Sequence, residues 1–178
     1  MCIRDSVGDA QVEVPFTVLP DPRSSSSVED LQAQHDFIAG VCATLTKAHD
    51  AITNIRSMRA DLNVLKGKVS GEESAALREQ IDAAVASLTE VEEALYQTKN
   101  ESRQDPLNFP IRLTDKLAGV KGSASQGDFR PTAQAYAVRD TLTAAIEAQL
   151  GRYQAVLEEA IPAINAAAQK LAVPAIGK

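Results

Sequence analysis

The side chains best suited to chemistry in this chain are two histidines, three adjacent glutamate pairs and one loop dense in polar groups. His35 and His49 are each followed by an aspartate, Asp36 and Asp50, so either pair offers nitrogen and oxygen donors to a metal ion. The fourteen helical residues between them span roughly 21 Å at 1.5 Å per residue, too far for one ion to take both. No spacing supplies further ligands, so packed or partly exposed histidines are expected, and no metal. The pairs Glu72/Glu73, Glu92/Glu93 and Glu158/Glu159 bring the carboxylates that glycoside hydrolysis uses in twos, about 5–10 Å apart across a cleft. Adjacent residues on a helix point in different directions, so these read as solvated faces. No catalytic residue and no cofactor is expected. Cys42 is expected on the apolar face of a helix, a small buried hydrophobe rather than a nucleophile.

The densest polar stretch is residues 96–110, YQTKNESRQDPLNFP. It carries Lys99, Asn100, Arg103, Gln104, Asp105 and Asn108, with Leu107 and Phe109 set among them. A loop of this length inside a compact domain usually has a packing or binding role. In the favoured reading Leu107 and Phe109 tuck between helices and fix a crossover. In a second, the loop docks on a domain outside this chain; in a third, its polar residues contact a ligand or external partner. The sequon Asn100-Glu101-Ser102 reads as accidental.

The elements around that loop are helical. Ser26 with Glu29 forms a capping-box pattern after a turn-rich linker at residues 21–27. Leu31, His35, Ile38, Cys42, Leu45, His49 and Ile52 then follow at alternating steps of four and three, a coiled-coil-like seam. Ile55, Leu62 and Leu65 continue it to about Lys66. Ser70 with Glu73 repeats the capping box, and Leu77, Ile81, Ala84, Leu88, Val91 and Leu95 mark a second helix, joined antiparallel by its short connection. A short helix is expected over residues 111–120, with Leu113 and Leu117. The last long helix should begin near Pro131 and bury Val138, Leu142, Ile146, Gln149, Tyr153, Val156 or Leu157, Ala160 and Ile164. Pro162 should kink it, and Pro174 should lie beyond its end. The fold class is all-α: an antiparallel bundle of three long helices plus a short one over residues 28–178, preceded by an orphan strand from a missing sandwich domain.

Composition suits one such core. The chain has 178 residues, 44% hydrophobic and 24% charged, and its aromatic content of only 4% leaves Leu, Ile, Val and Ala to fill the interior. A net charge of -6 without a basic stripe argues against nucleic acid and anionic membrane surfaces as partners. No apolar run approaches the roughly 20 residues that span a bilayer.

The N-terminal end reads differently. Residues 1–6, MCIRDS, match the in-frame translation of a transposon end used in preparing sequencing libraries and are expected not to belong to the protein. In residues 11–19, QVEVPFTVL, apolar and polar side chains alternate with the period of a half-buried strand. No second strand pattern follows, so residues 7–20 read as the last strand of a truncated sandwich.

LPDPR at 19–23, LQAQHDF at 31–37, LYQTKNESRQDPLNFPIRLTDKLAG at 95–119 and RPTAQAYAV at 130–138 together resemble one family. It is the C-terminal helical region of bacterial sortilin-like or Asp-box (BNR-like) glycosyl-hydrolase-like propeller proteins. That resemblance implies a secreted or periplasmic parent with a propeller and a small sandwich ahead of this bundle. The missing N-terminal domains would then be its first partners. Any sugar chemistry would lie in the propeller, so no catalytic residue carries over.

Overall fold

The computed structural model describes residues 2–171, with the backbone alone for Cys2, Ile3 and residues 5–7. It is an all-α bundle. The first helix, α1, runs over Val28–Lys68. Its N-cap is Ser27, one residue later than expected: the Ser27 hydroxyl accepts the Asp30 N–H at 3.1 Å, and the Asp30 carboxylate accepts the Ser27 N–H at 3.2 Å. Ser26 is drawn elsewhere, donating its hydroxyl to the Asp128 carbonyl.

The buried line of α1 is also displaced from the expected seam. Phe37, Val41, Thr44, Ala48, Ala51, Ile52 and Ile55 face the core. His35, Cys42 and His49 face out, while Leu31, Ile38 and Leu45 sit half-buried at the edge. The line that faces the core carries Phe37, Val41, Ile52 and Ile55 together with the small Thr44, Ala48 and Ala51, whereas the expected seam placed two histidines inside.

Gly71, at φ 93°, makes the turn after α1, and a 3₁₀ turn over Glu72–Ser74 leads into α2, Ala75–Leu95. The expected Ser70/Glu73 box does not form; the Ser74 hydroxyl donates instead to the Gly71 carbonyl at 2.8 Å. All six residues expected on the buried face of α2 are buried. Helix α3 covers Leu113–Ala124 and buries Leu117, and α4 covers Ala133–Ala155 from a Thr132 N-cap, with Pro131 just ahead of it. On α4 only Ile146 is fully buried, and Val138, expected inside, is exposed.

Pro162 does not end this helix. A π turn over Val156–Ala160 continues α4 into α5, Ile161–Lys170, with the Ile161 N–H donating to the Val156 carbonyl. The wider turn lets the chain pass a proline that has no N–H to give. Pro174 lies outside the described residues.

Helix α1 packs on α2, α3 and α4, and α2 packs on α4, the π turn and α5. Ion pairs cross these contacts at the surface, Arg130 with Asp30 at 2.6 Å and Lys47 with Glu147 at 3.7 Å. Such exposed pairs are screened by water and salt and add little to stability.

The N-terminal strand is present as β2, Ala10–Pro15, shorter than the alternating pattern. It is not unpaired within the chain: β1, Cys2–Val7, lies antiparallel to it, from Cys2 opposite Pro15 to Val7 opposite Ala10. Gly8, at φ 61°, supplies the left-handed residue of the two-residue loop. Both strands contact only each other, and Val12 and Val14 are exposed. Deleting residues 1–20 is therefore expected to shift the bundle's thermal midpoint by less than about 2 °C, equivalent to roughly half a kcal/mol. A broad or much lower transition would show that the hairpin supports the bundle.

Candidate functional site

The crossover loop begins where α2 stops. Tyr96 adopts an extended backbone, φ -134° and ψ 146°, which turns the chain out of the helix. Gln97 is buried, and its Nε2 donates to the Pro110 carbonyl at 2.8 Å, closing the loop across 13 residues. The buried Thr114 hydroxyl donates to the Leu95 carbonyl at 2.8 Å, tying the start of α3 to the end of α2. Both ends of the loop are thus anchored by side chains, Thr114 completing a carbonyl left over at the C-terminus of α2 and Gln97 a carbonyl of the loop itself.

Asp105 organises the middle. Its carboxylate accepts the Glu101 N–H at 2.5 Å, the Ser102 N–H at 2.7 Å and the Ser102 hydroxyl at 2.7 Å. The Ser102 hydroxyl first, then the two amides, hold this carboxyl below its ordinary value of 3.8. Because the folded value is lowered, the order this group provides is present above pH 3.8 and is lost as pH falls through the folded value. The Ser102 amide resonance should titrate with a midpoint below 3.8, and Asp105→Asn should abolish that titration. A midpoint at the ordinary value would mean that these bonds do not persist in solution.

Leu107 does not tuck between helices. It is 88% exposed, while Phe109 is half-buried with the Lys99 ammonium 5.9 Å from its ring centre. The 3₁₀ turn over Asp105–Leu107 that follows the carboxylate carries Leu107 outward. Lys99, Arg103, Gln104 and Asn108 are exposed, and Asn100 is half-buried. The expected contact residues do share one surface segment. Gln97 and Thr114, which fix it, carry no apolar periodicity and so gave no sequence signal.

A second cluster lies beside the loop, and it corrects the reading of Glu92 as solvated. Glu92 is 1% exposed; Arg56 Nε donates to it at 2.6 Å, and Arg59 donates to its other oxygen. Arg59 also reaches the Thr89 hydroxyl at 2.9 Å, and the Arg56 guanidinium lies 5.4 Å from the Tyr96 ring centre. Both carboxylate oxygens are engaged by protein cations, which makes this a structural clamp between α1 and α2. The usable signal was Arg56 and Arg59, three apart on one helix face. Glu93, Glu72, Glu73, Glu158 and Glu159 are exposed.

His35 is exposed, its Nδ1 3.2 Å from Asp36, and His49 stands edge-on to Tyr96 with ring centres 6.5 Å apart. Among the described residues no group of three or more His, Cys, Asp or Glu is placed to hold a metal ion. None of their helices is long and apolar enough to cross a membrane. Comparison with protein-family models, with curated proteins and with solved structures returned no match.

Proposed function

We propose that this chain is a non-catalytic structural module, the C-terminal helical part of a larger secreted propeller protein of the sortilin-like, Asp-box type. It docks through the crossover loop on a sandwich or propeller domain of that protein. The observation that carries the docking face is Leu107, 88% exposed on a loop fixed by Asp105 and Gln97. A leucine displayed on slack chain costs entropy when it is buried; one held on an ordered turn offers about 1.5–3 kcal/mol with little ordering cost. The propeller parent and its secretion rest on the resemblance of residues 19–23, 31–37, 95–119 and 130–138.

The test begins with the reading frame upstream of Val7 in the source DNA. The domain encoded there, produced separately, should bind the chain by calorimetry, and Leu107→Asp should weaken that binding roughly tenfold or more without moving the thermal midpoint. Absence of an upstream domain, or binding indifferent to Leu107→Asp, would overturn this reading.

A second reading, an oligomerisation bundle, is favoured by one observation. Exposed Ile111 and Val138 flank an open apolar groove of about 610 Å³ between α3 and α4. Sedimentation equilibrium separates the two: a dimer dispersed by Val138→Asp supports the second and argues against the first. The weakest reading, a loop contributing to a glycosidase-like site, fits poorly with Asp105. A general acid needs a raised pKa, and this carboxyl is lowered.

A further inference from the structure

The π turn does more than pass Pro162. In a regular helix the face carrying Tyr153 recurs at 156 or 157, 160 and 164. One extra residue in a turn rotates everything after it by about 100°, which brings Ile161 and Asn165 to within about 20° of Tyr153. The same wide turn parts the helices. Helix α4 packs on α1, but beyond the π turn no Cα of α5 comes within 8 Å of α1, and α5 rests on α2 instead.

The wedge left between α1 and α5 is a cleft of about 300 Å³. Its inner wall is apolar, with Met58 and Leu62 on α1 facing Ile161 and Ile164. Asn54, Ser57 and Asp61 from α1 line it with Tyr153 and Asn165 opposite, and the Tyr153 side chain is hydrogen-bonded to Asn54. Burial pushes the Tyr153 phenol up, so this wall is partly shielded from water. Asp61 brings the one carboxyl group to the lining, and among the described residues no cation or hydrogen-bond donor engages it.

We propose that this cleft binds a small organic cation, an amine on a short apolar or aromatic body, with the ammonium at Asp61. The volume sits at the lower end for ligand sites, and the combination of an apolar wall with a few convergent polar groups between bundle helices is what such sites present. The occupant's apolar part replaces water over Met58, Leu62 and Ile161. The asparagine carbonyls and the Ser57 hydroxyl can accept the ammonium protons that Asp61 leaves over. The cleft shares no residue with the crossover loop, and neither proposal depends on the other.

The test uses the full chain with phenethylamine and its uncharged counterpart 2-phenylethanol, followed by the Asn54 and Asn165 side-chain amide and Met58 methyl resonances. Phenethylamine should shift these resonances saturably, and both 2-phenylethanol and the Asp61→Asn variant should show affinity lower by roughly tenfold or more. Asp61 is exposed and unpaired, so the variant keeps the fold. Equal binding of amine and alcohol, binding that survives Asp61→Asn, or no saturable shift would each overturn the proposal.

Discussion

Replacing Arg56 and Arg59 together by methionine is expected to destabilise the bundle by about 3–5 kcal/mol. Glu92 is 1% exposed and has these two guanidiniums as its cationic partners. Removing both leaves a buried carboxylate with neither charge compensation nor water, and leaves the Thr89 hydroxyl without its donor. The third substitution is the informative one. Adding Glu92→Leu should recover most of the loss, because a packed hydrophobe in place of a buried ionic group is often neutral or stabilising. Urea unfolding of the three proteins at one pH measures both steps. A double variant within about 1 kcal/mol of the parent would mean that Glu92 reaches water by a small shift of α2, and the clamp would be a surface pair.

Phe37→Ala should cost a similar amount, about 3–5 kcal/mol. The ring is 1% exposed and packs edge-on against Tyr136, with centroids 5.0 Å apart. The Arg139 guanidinium lies 5.0 Å from the Phe37 centroid and 4.8 Å from that of Tyr136. Truncation therefore removes core volume and also the surface on which α4 seats its half-buried arginine. Arg139 keeps Asp140 as a partner, so the variant should fold rather than collapse into another packing. The comparison is Val138→Ala, one position away on an exposed side chain, which should be within about 0.5 kcal/mol of the parent. Similar losses at both sites would mean that the face of α4 has been assigned wrongly.

The helices were legible where one strong pattern had no competitor. On α2, Leu77, Ile81, Ala84, Leu88, Val91 and Leu95 form a single apolar line between polar neighbours, and all six are buried. On α1 two lines lie one residue apart. The four-and-three spacing through Leu31, Ile38 and Leu45 fits one of them, but the line through Phe37, Val41, Thr44, Ala48 and Ala51 is inside. Both lines satisfy the same spacing, and spacing along one helix carries no information about which side the next helix covers. The loop shows the same limit. Its membership was legible from prolines and polar residues, but the outward direction of Leu107 follows from the 3₁₀ turn over Asp105–Leu107, which no periodicity reports.

What the sequence by itself determined is the helical class, the order of the elements and the segment where helix gives way to loop. These depend on local propensity, capping residues and the period of apolar side chains, all of which act within a few residues. The tertiary structure alone decided that Glu92 is buried against Arg56 and Arg59, and that a cleft opens between α1 and α5 beyond the π turn. Each depends on residues brought together across the bundle, where burial changes what a charge costs and one extra residue in a turn changes which faces meet.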